Sequence, residues 1–217
     1  MQRVLEPEVM DSWEEAVAYD AMDFTEVNAA FAQKAIALAP KVAKVLDLGT
    51  GTARIPLILS QQRPQWQIIA IDLAENMLKI GAEHIKKAGL QKQIILELVD
   101  AKQLPYPNEH FDLVISNSLF HHLPDPLPFL QEINRVLKPQ GALLIRDLIR
   151  PNNQEILQNL VESIGAEYDA HQKQLFADSL HAAFTIDEVN QLMSQAGLKD
   201  VKIYQSSDRH WTAERSF

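Results

Sequence analysis

The sequence predicts a single α/β domain: a seven-stranded, mostly parallel sheet with an antiparallel C-terminal strand, helices on both faces and a helical cap. Three observations predict it. From about residue 43, short apolar β-type runs alternate with helical patterns of about 10–15 residues, the signature of right-handed βαβ crossovers. The first such run passes straight into a glycine turn, "VLDLGTGTAR". Residues 1–40 contain no strand-like run, and residues 153–182 also read as helical. A chain of 217 residues suits one domain with an added cap.

In chain order, "SWEEAVAYD" and "VNAAFAQKAIALA" read as two helices, capped by Ser12 and by Thr25 or Asn28. "KVLDL" is a strand, and "ARIPLILSQQ" a helix with Pro56 tolerated in its first turn. "QIIAID" is the second strand. "AENMLKIGAEHIKKAG" is a helix with Met77, Leu78 and Ile85 apolar, closed by Gly89. "QIILELV" and "FDLVISN" are strands. Residues 126–137 form a helix stopped by "KPQG", and "ALLIRDLI" is the fifth strand. "TIDEVNQLMSQAGL" opens on a capping box, Thr185 with Glu188, and ends at Gly197. "KDVKIYQSS" and "DRHWTAER" read as an antiparallel edge pair. The organisation expected is an N-terminal cap at 1–40, a core at 41–150, a helical lid at 151–182, and a final helix with edge strands at 183–217.

Composition narrows the partners. The formal net charge of −9 disfavours a polyanion, so no nucleic acid is expected. The chain has no cysteine, which removes disulfides, thiolate ligands and cysteine nucleophiles. The opening "MQRVLEPEVMDSWEEAV" is acidic and broken by Pro7, unlike a secretory leader. The apolar runs are too short to span a bilayer, and a cytoplasmic protein is the expectation.

Only seven glycines occur, and Gly49 and Gly51 fall in one turn. Such a loop lets backbone approach a ligand closely. Ala53 in the third slot is expected to lie already in the helix, where a small side chain suffices. Three acids end successive strands. Asp47, just before the glycines, is poorly placed for a pyrophosphate and suits a cationic ligand. Asp72 can accept hydrogen bonds from both ribose hydroxyls. Asp100 suits an adenine amino group, with the Ala101 N–H facing the ring.

"VLDLGTGTARIPL", "IIAIDLAENML", "VDAKQLPYPNEHFDLVISNSLFHHLPDP" and "INRVLKPQGALLI" together resemble the ordered motifs of class I S-adenosylmethionine-dependent methyltransferases, on the branch that includes the quinone-biosynthesis C-methyltransferases. The resemblance covers roughly residues 43–148 and implies a Rossmann-like sheet. It implies S-adenosylmethionine as cofactor and S-adenosylhomocysteine as product. It also implies that Asp47 contacts the methionine amino group and that Gly49 and Gly51 pass beneath the methionine and ribose. By the same resemblance Asp72 holds the ribose, Leu73 and Met77 pack on adenine, Asp100 and Ala101 read its edge, and Asn117 lies beside the transferable methyl.

A base is needed only if the acceptor must lose a proton. His121, His122, Tyr19 and Asp147 are the candidates, with Asp23 and Arg146 as further polar groups near the ligand edge. Asp147 is more simply read as a salt-bridge partner to a nearby arginine. Phe120, Phe129, Phe176 and Trp211 read as packing residues. No metal is expected, because adjacent histidines are taken to point in different directions. The run "NSLF" lacks the prolines of amino-methylating DNA enzymes. The expected function is methyl transfer to a small molecule under the lid. The alternatives are a non-catalytic S-adenosylmethionine-binding module and, less well fitted, a nicotinamide oxidoreductase, whose third glycine slot is occupied here by Arg54.

Overall fold

The computed structural model describes residues 1–6, 11–165 and 168–217. The break expected at Pro7 and residues 166–167 of the expected lid lie outside the described residues. The elements run α1 (Trp13–Asp20), α2 (Thr25–Leu38), β1 (Lys44–Leu48), α3 (Arg54–Gln62), β2 (Gln67–Asp72), α4 (Glu75–Ala88), β3 (Ile94–Leu98) and β4 (Phe111–Asn117). A short 3-10 turn at Phe120–His122 follows, then α5 (Leu127–Val136), β5 (Leu137–Leu148), α6 (Gln154–Ser163), α7 (Ala170–Ala182), α8 (Ile186–Gln195), β6 (Lys202–Gln205) and β7 (His210–Arg215).

The strands form one sheet in the order β3-β2-β1-β4-β5-β7-β6. The first five are mutually parallel, and β7 runs antiparallel to both its neighbours. The last two strands form the expected antiparallel pair at one edge of the sheet. β7 inserts between β5 and β6, and only β6 lies at the edge. Burial explains the order. Trp211, Thr212 and Ala213 of β7 are buried, and Trp211 meets the Phe120 ring edge-on at 5.2 Å, whereas no residue of β6 is fully buried.

The pleat sorts the core into two layers. Val45 of β1 belongs with Ile68, Ala70, Leu113, Ile115 and Leu144 on the face covered by α2 and α3. Leu46 and Leu48 belong with Val114, Leu143 and Ile145 on the face covered by α5, α8 and Phe120. Asp47, two residues beyond Val45, therefore points to the α2–α3 side.

Three local readings are corrected. The fifth strand starts before "ALLIRDLI": β5 takes in the "KPQG" run and begins at Leu137, which pairs with Phe111, and a register shift between Phe111 and Leu113 absorbs the extra residues. Neither Thr25 nor Asn28 caps α2. Its cap position is Phe24, and the carboxylate of Asp23 accepts from Thr25 N at 3.0 Å instead. Ala53 precedes α3 rather than lying within it, and adopts the left-handed region with φ +60°. Ser12 and Thr185 do open capping boxes, with Glu15 and Glu188.

The caps join at their ends. Val4 N donates to His181 O at 3.1 Å, and Arg3 Nε to Ala182 O at 2.6 Å, lacing the first residues to α7. Leu148, Leu157, Leu160 and Leu180 pack beneath this seam with Met1 against them. Among the described residues no helix is long and apolar enough to cross a membrane.

Ala53 is fully buried, and a β-carbon added at Gly81 of α4 would lie 3.1 Å from its own. The slot thus demands a small residue in a left-handed conformation. Ala53→Gly should relieve about 1 kcal/mol of strain and raise the melting temperature by about 2–4 °C. Ala53→Leu should lower it by roughly 5 °C through overpacking against α4. Thermal melts followed by circular dichroism read both shifts, and an unchanged melt for the leucine variant contradicts the packing.

Candidate functional site

The site is built where strand order reverses. β1 has β2 on one side and β4 on the other, so crossovers leave in opposite directions and open a crevice at the carboxyl ends of the strands. The β1–α3 loop crosses this crevice. Gly49 N and Thr50 N both donate to Ile71 O at 2.9 Å, which folds the loop over the end of β2. Gly49 and Gly51 hold φ values of +73° and +55°. A β-carbon at Gly49 would meet Leu119 at 3.0 Å, and one at Gly51 would face the Tyr19 ring at 3.5 Å. Gly49 is needed for both conformation and clearance, whereas Gly51 is needed for its conformation alone.

Two hollows flank the loop. The first is lined by Gly51, Asp72, Leu73, Met77, Asp100, Ala101 and His122. The second, of about 470 Å³, lies between α2 and α3 and is lined by Asp47, Thr50, Phe24, Asn28, Arg54 and Ile58. Tyr19, Gly49 and Asn117 border both. The structure thus brings all of the expected cofactor residues around one continuous pair of hollows. Residues 19–25 and Asn28 wall the second hollow, and none of the described residues 151–182 lines either.

The acids are poised differently. Asp47 is 2% exposed, and burial pushes its carboxyl up to about 7, with the nearby Asp72 charge adding to the rise. Its Oδ2 and the neighbouring Thr50 Oγ are buried without a hydrogen-bond partner. Asp72 is anchored: Oδ2 accepts from Gly51 N at 2.7 Å and Oδ1 from Ala74 N at 2.9 Å. Each oxygen keeps a second lone pair, so the carboxylate can still accept from two hydroxyls. Burial nonetheless raises its pKa. Asp100 is held by Lys102, whose N donates at 2.8 Å and whose Nζ pairs at 3.0 Å. Asn117 Oδ1 accepts from Arg146 Nε at 2.9 Å, and Arg146 is fixed over the Phe31 ring, 5.1 Å from its centroid. Tyr19 is driven to a raised pKa by burial and by Asp72 and Asp47, so its phenol stays protonated.

The catalytic candidates divide. Tyr19 and His122 line the hollows, as does Asp23. His121 and Asp147 line neither. Both are buried, and His121 Nδ1 lies 2.6 Å from Asp147 Oδ1. Asp147 is also held by Phe120 N at 2.6 Å and Leu148 N at 2.7 Å. Its partner is thus a histidine, not the arginine considered, and its side chain borders neither hollow. Burial alone would lower the His121 pKa, but the Asp147 and Glu6 carboxylates more than offset it and leave it raised. The adjacent histidines do not diverge. Their rings stack at 4.1 Å with a 35° tilt, and both face Glu6.

Glu6 and Arg3 were not anticipated as part of this region. Arg3 donates to the carbonyls of His121 and Leu123 at 3.0 and 2.8 Å across more than a hundred residues of chain. Such a contact leaves no local pattern. Ser118, with φ +58°, also escaped notice, although it turns the chain after β4 toward the first hollow.

Comparison with known proteins follows this geometry. Residues 40–207 match the family described as "Methyltransferase domain". A demethylmenaquinone methyltransferase of Listeria welshimeri is 36% identical over 115 residues, covering 52% of this chain and 48% of that protein. The chain thus spans about half the length of the first such relatives. A demethylmenaquinone methyltransferase of Lactobacillus johnsonii is 30% identical over 170 residues, covering 73% of this chain and 68% of that one. The crystal structure of a SAM-dependent methyltransferase from Aquifex aeolicus superposes with a TM-score of 0.69 at 21% identity, covering 94% of this chain and 98% of its own, a likeness of fold.

Asp47 makes stability fall with pH in the ligand-free chain. Its folded pKa is raised, so the folded state holds a proton that the unfolded state releases from about pH 4, and stability declines until about pH 7. Asp47→Asn should match the parent near pH 4 and exceed it at pH 8 by about 2–4 kcal/mol in urea denaturation. Equal stabilities at both pH values contradict the buried carboxyl.

Proposed function

This chain belongs to the S-adenosylmethionine-dependent methyltransferase family, and we propose that it transfers a methyl group from S-adenosylmethionine to a neutral small molecule seated between α1–α2 and α3. One observation carries the reading. The acid-lined hollow that suits a nucleoside and the larger hollow beyond it meet at Tyr19, Gly49 and Asn117. Asp47 tests the fit to this cofactor: a buried carboxylate with a free oxygen and a raised pKa is suited by a cation, not by a phosphate.

In this proposal Asp72 holds the ribose, Asp100 and Ala101 meet the adenine edge, Leu73 and Met77 cover its face, and Asp47 with Thr50 receives the methionine ammonium. When bound, S-adenosylmethionine supplies an electrophilic methyl on a cationic sulfur. The chain then needs chiefly to align a nucleophile and exclude water. Tyr19, wedged against Gly51, separates the nucleoside side from the acceptor side and narrows their junction. Arg146 fixes the Asn117 amide there.

The acceptor side mixes Phe24, Met22 and Ile58 with Asn28 and Gln61. Its Arg54 is already paired with Asp20 at 2.9 Å. A flat, uncharged acceptor with a hydroxyl or carbonyl fits this lining better than an anion. The names of the quinone-methylating relatives agree with that class. We extend the proposal to roles for the remaining candidates: Tyr19 and His122 act at the hollows, and His121 with Asp147 positions the turn after β4 from behind.

Calorimetry with S-adenosylhomocysteine tests the cofactor side. The parent should bind in the micromolar range, and Asp72→Ala should weaken binding about 10–100-fold by removing a charged acceptor. A folded sample that binds neither S-adenosylmethionine nor its product overturns the proposal. Tighter binding of NADH does so as well, in favour of an oxidoreductase. Binding without transfer to any quinol or phenol acceptor points instead to a non-catalytic sensor.

A further inference from the structure

We propose that Glu6, His121 and His122 form a binding site for one divalent metal ion of the zinc class, which clamps the N-terminal segment onto the turn after β4. The site adjoins the first hollow through His122 and uses none of the residues assigned to the cofactor.

Three donor atoms converge. Glu6 Oε1 is 3.4 Å from His121 Nε2 and 2.9 Å from His122 Nδ1, and the three ligand atoms all lie within 4.8 Å of one another. Tetrahedral zinc with bonds of about 2.0–2.1 Å separates its ligands by about 3.3 Å, so only small shifts seat an ion between them. Glu6 Oε1 and His122 Nδ1 are buried and close, yet misaligned, and neither makes a hydrogen bond.

The surroundings complete the arrangement. His121 Nδ1 is held at 2.6 Å by Asp147, which directs Nε2 toward Glu6 and leaves it as the ligand atom. A carboxylate behind a ligating histidine fixes its tautomer and raises its basicity. Asp147 is itself rigid, bound by two backbone N–H groups. Glu6 is steadied through its other oxygen, which accepts from Ser179 Oγ at 3.1 Å. Charge also fits. With neutral imidazoles, Glu6 and Asp147 supply two negative charges, and the Arg3 guanidinium cancels one of them. Arg3 is turned onto backbone carbonyls and over the Phe184 ring at 3.7 Å. Two imidazoles and one carboxylate suit zinc, cobalt or nickel better than calcium or magnesium. His122 borders the first hollow, so the proposed ion would sit beside it.

The test titrates the chelator-stripped full chain with Zn²⁺ by calorimetry and with Co²⁺ by visible absorption. We expect one equivalent bound and the intense d–d bands of four-coordinate cobalt. Glu6→Gln and His122→Gln should each weaken binding at least about 100-fold, while His171→Gln on exposed α7 should leave it unchanged. If either variant fails to fold, anomalous scattering from zinc-soaked crystals of the parent decides: a peak among the three atoms supports the site, and its absence there overturns it. Failure to bind Zn²⁺ at micromolar concentration overturns it, as does binding that survives both substitutions. S-adenosylhomocysteine binding measured on the same samples reports the cofactor proposal separately.

Discussion

Asp47 is a carboxylate buried near the carboxyl end of β1 with one oxygen unpartnered, and burial raises its affinity for a proton or a cation. The rest of the crevice is arranged around that constraint. The pleat of β1 sends Asp47 to the α2–α3 side while its neighbours Leu46 and Leu48 fill the opposite layer. The loop that follows lies flat over β2 because two of its N–H groups share the Ile71 carbonyl. That loop turns through the left-handed region at Gly49 and Gly51, and Leu119 leaves little room for a β-carbon at position 49. Asp72 then ties the loop to the end of β2 through Gly51 N. A charge mismatch on one strand is thus surrounded by a rigid frame, and rigidity is what makes a buried, unsatisfied acid usable for recognition rather than merely destabilising.

Behind this frame lies a second buried charge cluster with a different logic. Asp147 and His121 satisfy each other and the backbone around them, and they border neither hollow. Their pairing positions the turn from which His122 emerges. Arg3 and Glu6 reach this turn from the N-terminus and connect it to α7. The first residues of the chain therefore bear on the wall of the first hollow, although they lie far from it in sequence.

Much of the architecture was legible because it is local. Alternating runs and Gly89 at a helix end marked the parallel half of the sheet, and the acids at strand ends marked its ligand edge. What escaped depends on contacts distant in sequence. The insertion of β7 beside β5 is decided by Trp211 meeting Phe120, and no spacing encodes that. Position 53 was misread because a left-handed alanine is rare, and its small size answers to Gly81 on another helix. The run "KPQG" reads only as a helix stop, but pairing with Phe111 draws Leu137 into the strand. Asp147 looked like a site acid from its strand-end position, since position alone does not reveal which way a side chain finds its partner. The adjacent histidines looked divergent for the same reason, until Glu6 brought them to a common point.

The central claim is that the protonated state of Asp47 is exchanged for a cationic ligand. Carbon-13 NMR of the labelled Asp47 carboxyl, titrated with and without S-adenosylmethionine, measures this directly. The account predicts a pKa of about 7 in the free chain and a fall to the ordinary carboxylate range or below in the complex. A free-chain value already near the ordinary range of about 4, or one that does not move when the ligand binds, contradicts it.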